Sequence, residues 1–235
     1  MINLALPIIY HDKLTQFQKK PTMTYSIILR DPEKNHFGVA VATKHLAVGA
    51  RVPFLEAGFG AIATQSTTNP YLGLKGLASL RSGEPIESAL RSALAADTDP
   101  ESRQLHGLDK SGNFWAWTGT NAQNWAGHIG VRNVSVAGNF LAGPAVLKAC
   151  MESLQLSTDR SLESRLLQAL FAGEEAGGDK RGRQSAALLT IREQPFPWCN
   201  LRVDDHLDPL MELTRLLKEF KEPYYQEFIS QIPSN

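Results

Sequence analysis

Groups capable of chemistry crowd into one short stretch, Gly177-Gly178-Asp179-Lys180-Arg181-Gly182-Arg183-Gln184-Ser185-Ala186. Its three glycines allow positive φ and can turn amide N–H groups toward one point, while Lys180, Arg181 and Arg183 add positive charge. Such a loop suits a substrate carboxylate or a developing oxyanion, with Asp179 as the counter-charge that arranges the cations and Ser185 as a candidate substrate contact. A glycine C-cap followed by solvated charges is an equally open reading. A phosphate loop is excluded by order. The pattern G-x-x-x-x-G-K-[ST] follows a strand and opens a helix. Here a helical leucine pattern comes first (Leu162, Leu166, Leu167, Leu170) and an apolar run, residues 186–191, comes after.

Other candidates are dispersed. Asn139, after Gly138 and shortly before Pro144, could offer its amide to an oxyanion, or could serve only as a turn residue. Gln65 at the end of an apolar run has the same standing. Asp204-Asp205-His206 suggests metal, but on a strand Asp204 and His206 face one way and Asp205 the other, and two ligands are too few for zinc. The expected role of these carboxylates is to pair with Arg181 or Arg183 beside the loop. Asp208, followed by Pro209, reads as a helix cap. Ser26 and Ser185 lie in neither G-x-S-x-G nor S-x-x-K, and no histidine is placed as a base for either. No metal or other cofactor is expected.

Composition narrows the class. With 24 Lys and Arg against 24 Asp and Glu the formal net charge is zero, which gives no general attraction to nucleic acid or to an acidic membrane. Two cysteines supply no disulfide framework, so a reduced, cytoplasmic protein is expected. No apolar run approaches a membrane span. At 235 residues and 43% hydrophobic, one domain is the default. The first 22 residues lack a sustained period, and the pattern sharpens at Met23-Thr24. Residues 1–22 are therefore read as an extension or as an artefact of the assigned start, with the domain over 23–235. A small residue such as Thr24 behind Met23 would permit methionine removal.

The elements that must hold these groups follow from periodicity. Residues 25–29 and 37–42 make a hairpin, residues 60–65 a third strand, and two helices follow, one capped by Asn69 with Pro70 in its first turn. Residues 104–108 and 113–118 form a second hairpin, and residues 134–137 another strand. A helix after Pro144 and a second at 162–171 precede strands at 186–192 and 201–203. A last helix places Leu210, Leu213, Leu216, Leu217 and Phe220 on one face. Trp115 and Trp117 share a strand face and are assigned to core packing. Hairpins without βαβ crossovers predict antiparallel sheets, and paired helices predict outer layers, hence an α+β, four-layer α-β-β-α sandwich of two mainly antiparallel sheets.

On particular residues the chain resembles a widespread uncharacterised family, the domain of unknown function numbered 1028, whose members look like N-terminal-nucleophile (Ntn) hydrolases. They are Thr24-Tyr25-Ser26-Ile27 with Arg30-Asp31-Pro32, residues 38–42 and 46–50, Ala63-Thr64-Gln65, Trp125-Ala126-Gly127-His128, residues 138–144, the opening decad, and residues 201–206. The resemblance implies that Thr24 attacks an amide with its own α-amine as base, and that Asn139 or loop amides hold the oxyanion. The substrate would be a small amide or peptide bearing a carboxylate. An α-amine of pKa about 7.7–8.0 suits that task, whereas the nitrogen of an internal Thr24 is an amide and has no basic lone pair. A non-catalytic member of the fold, binding a small anion or forming a homo-oligomeric scaffold, is the competing expectation.

Overall fold

Alternation along each strand sets the layers. In the computed structural model, which describes residues 24–122, 125–157, 160–178 and 182–233, strand β1 (Thr24–Asp31) sends Tyr25, Ile27 and Leu29 to one face and Thr24, Ser26 and Ile28 to the other. The expected extension 1–22 lies outside the described residues, as do Asp179, Lys180 and Arg181. Strand β2 (His36–Thr43) returns beside β1 through a turn in which Asn35 takes φ 54°, a conformation asparagine tolerates.

The remaining strands are β3 (Pro53–Glu56), β4 (Gly60–Ser66), β5 (Arg103–Asp109), β6 (Phe114–Thr118), β7 (Trp125–Val131), β8 (Val134–Leu141), β9 (Ser185–Ile191) and β10 (Cys199–Val203). They form a six-stranded sheet ordered β10-β9-β2-β1-β8-β7 and a four-stranded sheet ordered β3-β4-β5-β6. Every pairing is antiparallel.

Helices α1 (Pro70–Arg81) and α2 (Ile86–Ala95) cover the smaller sheet, where Leu72, Leu77, Leu80, Leu90 and Leu94 bury against Ile62 and Leu105. Helices α3 (Ala145–Leu156), α4 (Leu162–Glu175) and α5 (Pro209–Lys221) cover the larger sheet through Val146, Leu166, Leu170, Leu213 and Phe220. Between the sheets lies a third core of Ile28, Phe37, Val39, Val41, Ala61, Ala63, Leu108, Ala187 and Ile191. The molecule is thus an α+β, four-layer α-β-β-α sandwich. No helix of the described residues is long and apolar enough to cross a membrane.

Both predicted caps form. The Asn69 side chain accepts from the Tyr71 amide at 3.1 Å and that of Asp208 from Met211 at 3.2 Å. Trp115 and Trp117 pack, partly buried, against the core beneath α1 and α2. Three elements exceed the expectation: β3, β7 and a last helix α6 (Pro223–Ser230). Strands β3 and β7 are sheet edges, the first opened by proline and the second carrying two glycines, so neither shows the buried alternation that betrays a strand. Helix α6 has only eight residues and none of them is fully buried, so its apolar positions, Tyr224, Tyr225, Phe228 and Ile229, span too short a stretch to stand out as a period.

Candidate active site

Four polar side chains stand in one row across the larger sheet. Register pairs Ser185 with Thr43, Thr43 with Thr24, and Thr24 with Asn139, so β9, β2, β1 and β8 each contribute one residue at the same end. Neighbouring strands lie about 4.8 Å apart, which brings these side chains within reach of one another on the face toward the other sheet. Thr24 Oγ1 lies 3.1 Å from Thr43 Oγ1, and Thr24 is 6% exposed. Ser185 donates to the carbonyl of His45 and accepts from the Val48 amide at 3.1 Å. Its hydroxyl therefore fastens the loop after β2, and a direct substrate contact would compete with both bonds.

Behind this row a chain of buried hydrogen bonds joins the two sheets, and its proton directions can be assigned. Gln104 Nε2, on β5, lies 2.9 Å from each of the carbonyls of Gly127 and Gly138 and from Thr118 Oγ1. Backbone carbonyls only accept, so the amide nitrogen must face them and Gln104 Oε1 must point the other way. That oxygen receives Gln65 Nε2 at 2.8 Å and Asn139 Nδ2 at 3.0 Å. Gln65 Oε1 then accepts from Ser26 Oγ at 2.6 Å. With its proton so committed, Ser26 Oγ accepts from His106 Nε2 at 2.8 Å, and His106 Nδ1 accepts from Ser135 Oγ at 2.9 Å.

His106 is completely buried, and desolvation, with a smaller contribution from His128, pushes its pKa down to about 3. A neutral ring with one donor and one acceptor nitrogen is what the chain of bonds requires. Desolvation also lowers the pKa of His128, whose Nδ1 lies 2.9 Å from Thr118 Oγ1. The Ser26–His106 contact resembles a serine–base pair, but the serine proton points to Gln65, the imidazole is a very weak base, and both side chains are fully buried. It is a support.

One atom is left over. Asn139 is fully buried, yet its Oδ1 has no hydrogen-bond partner among the described residues. An unpaired buried acceptor costs about 1–3 kcal/mol.

Backbone strain collects at the same end of the sandwich. Among the described residues, five that are not glycine have positive φ: Asn35 and Asn133, in hairpin turns, and Ala47, Ser66 and Phe140. Ala47 lies in the loop that Ser185 holds, Ser66 directly follows Gln65, and Phe140 directly follows Asn139. For residues without the local hydrogen bonding of asparagine, such conformations cost on the order of 1–3 kcal/mol each and collect where a site is being shaped.

A cleft of about 560 Å³ opens beside the row, lined by Lys44, Arg183, Gln184, Asp205, His206 and Leu207. Gln184 bridges it, with its amide donating to the Thr43 carbonyl at 2.8 Å and its side chain to Asp205 at 3.1 Å. The expected pairing of Arg183 with Asp204 or Asp205 is replaced. Arg183 lies 3.5 Å from both Glu174 and Asp208, while Asp204 pairs with Arg202 at 2.8 Å, because the chain after β10 turns back toward α5 and carries Asp208 to the loop. Gly177 and Gly178, both at positive φ, close α4 by donating to the carbonyls of Glu174 and Gly173, so the C-cap reading holds for this pair. The roles expected of Asp179 and Arg181 fall outside the described residues.

Of the residues predicted from sequence, Thr24, Asn139, Gln65 and Ser185 meet at one end, and Arg183 and Asp205 line the cleft beside them. Sequence reasoning missed Thr43, Gln104, His106 and Ser135. The available signal was on β5, where Gln104 and His106 alternate with Leu105 and share the face of buried Leu108. Polar residues on the inward face of a buried strand mark a network.

Residues 24–213 match a model described as a family of unknown function, the domain of unknown function numbered 1028. The chain belongs to this family. A member from Silicibacter pomeroyi, known from a crystal structure, is 33% identical, with a TM-score of 0.84 over 90% of this chain and 92% of that one. Two other solved structures are more distant. Anbu, an ancestral beta-subunit, from Yersinia bercovieri is 12% identical with a TM-score of 0.39, over 90% of this chain and 99% of that one. Anbu from Hyphomicrobium sp. is 12% identical with a TM-score of 0.37, over 89% and 100%. No curated protein matches the chain. Membership makes the shared fold and the family motifs part of this chain, and leaves its chemistry to be argued from the site.

Proposed function

We propose that the protein is an Ntn-type amidohydrolase acting on a small amide or peptide that bears a carboxylate, with Thr24 as the nucleophile. The observation that carries this reading is the position of Thr24. It is the first residue of β1 and the first residue of the family match, and it stands in the polar row between Thr43 and Asn139. Once Thr24 begins the chain, its α-amine takes the Oγ1 proton, directly or through a water. Oγ1 then bonds to the substrate carbonyl carbon, the C–N bond breaks, and the proton leaves with the amine product. Water attacks the resulting ester, releases the acid and restores the hydroxyl. Backbone amides at the strand ends are the oxyanion donors in this scheme, and Lys44 with Arg183 on the rim receives the substrate carboxylate.

Mass spectrometry of protein made from Met23 is expected to find a chain starting at Thr24. Thr24→Ala is expected to lower amide turnover on the order of 10³-fold or more, to background. Turnover that survives the substitution would sink the assignment.

The cleft itself favours a second reading, a non-catalytic anion binder. Its mark would be stabilisation by small carboxylates that is lost in Lys44→Gln and unchanged in Thr24→Ala.

A further inference from the structure

We propose that Asn139 serves Thr24 as a hydrogen-bond acceptor, presenting Oδ1 to the α-amine and holding that amine in place as the base. This rests on Thr24 being the reacting residue. It reverses the oxyanion-donor role that the residue type suggests.

The polarity follows from fixed points rather than from the asparagine itself. The carbonyls of Gly127 and Gly138 orient Gln104, and Gln104 Oε1 then draws Asn139 Nδ2 toward the interior. Turning Asn139 over would set its oxygen against Gln104 Oε1, two acceptors with no proton between them. Gln104 cannot turn in compensation, since its oxygen would then face the two carbonyls. The end of Asn139 that remains is an oxygen, fully buried and without a partner among the described residues, on the strand directly opposite Thr24. A buried acceptor in this position calls for a donor, and an amine at residue 24 supplies N–H groups at the paired register position. A bond from the amine to Oδ1 leaves its lone pair free for the Thr24 hydroxyl, whose oxygen is held from the other side by Thr43.

Gln104, Gln65, Ser26, His106 and Ser135 are positioning residues in this scheme, since each acts through its neighbour. Among the described residues, the charged or titratable groups around this end of the row are Lys44 after β2, Arg183 with Glu174 before β9, Asp205 and His206 across the cleft, neutral His106 on β5, and His128 on β7 through Thr118. None of them lies within the row itself.

Neutron diffraction from deuterium-exchanged crystals of the unsubstituted protein, carrying the N terminus it has in solution, tests the polarity without any need for turnover. The expected result is deuterons on the Asn139 atom facing Gln104, and a bare oxygen within about 3.2 Å of a deuterated Thr24 amine. Deuterons on the atom facing a free Thr24 amine overturn the proposal alone. A Thr24 nitrogen still in a peptide bond overturns the nucleophile reading and this proposal with it.

The pH profile of kcat/KM is the second readout. Asn139→Asp keeps an acceptor and adds a negative charge, so the acidic limb should move up by about one pH unit, while Asn139→Ala should move it down. An unchanged limb in both variants would show a donor or a purely structural role.

Discussion

His106 stands behind the polar row, fully buried and hydrogen-bonded on both ring nitrogens. Its imidazole must stay neutral to accept from Ser135 and donate to Ser26, and burial in the inter-sheet layer keeps it so. Because its pKa in the folded chain, about 3, lies below the ordinary 6.5, the unfolded chain binds the proton more readily. Stability from this group is therefore complete above the ordinary value and is lost as pH falls toward the folded one. Between about pH 6.5 and 5 the protein should lose on the order of 2 kcal/mol, read from urea midpoints. His106→Gln should start less stable and show a flatter dependence over the same interval; an equally steep loss would place the acid sensitivity elsewhere. Thr24 and Asn139 belong to the same scale: in the proposed reaction one supplies the reacting oxygen and the other an acceptor, and the two roles are separable by the experiments above.

At the scale of elements, the strand ends that carry Gln65 and Gln104 are held by a clamp outside the site. Asp97, just beyond α2, accepts from Arg103 at the start of β5 at 3.0 Å and from the α1 cap Asn69 at 2.6 Å. Arg103 also donates to the Thr67 carbonyl just past β4 at 2.7 Å. The hydrogen bond from Arg103 is the main reason that the Asp97 pKa falls to about 2, and its side chain is 1% exposed. Asp97→Ala leaves a largely buried guanidinium unpaired and should cost about 3 kcal/mol at neutral pH. The folded pKa again lies below the ordinary carboxylate value, so this stabilisation is present above about pH 4 and fades as pH falls toward 2. The variant's stability difference from the parent should shrink over that interval, measured by thermal melts. A gap that stays constant would mean that the carboxylate acts by packing and not by charge.

For the whole molecule, the spacing of the two sheets is the controlling dimension. Ala61 and Ala63 on β4 face Ile28, Val39 and Val41 across the middle core, and these short side chains let the sheets approach closely enough for Ser26 to reach both Gln65 and His106. Ala63→Leu adds three carbons to a filled layer and should cost about 1–3 kcal/mol. It should also spread the layers at the hydrogen-bonded end, so kcat for amide turnover should fall further than the loss of folded protein explains. Turnover that tracks the folded fraction alone would separate the network from the chemistry. The match to the Silicibacter pomeroyi protein covers 90% of the chain, which makes that crystal structure a fit reference for measuring the inter-sheet distance in such a variant.

Much of this architecture is local in origin and could be read from the chain alone. Period-two alternation in residues 25–29 and 37–42, the caps Asn69-Pro70 and Asp208-Pro209, and the leucine spacing of α4 and α5 each depend on residues a few positions apart. The order of hairpins and helix pairs then leaves few ways to bury the apolar faces, and the sandwich follows. Thr24 and Asn139 were visible as types in suggestive places. Their partners were not, since Ser26 meets Gln65 across 39 positions and His106 across 80, and no local pattern pairs residues so far apart. Arg183 likewise takes Asp208 in place of Asp204 or Asp205, because a turn after β10 sets which carboxylate arrives. Periodicity reports which face of a strand is buried, while only the stacking of two sheets decides which buried polar groups meet and therefore which atom of Asn139 is left without a partner among the described residues.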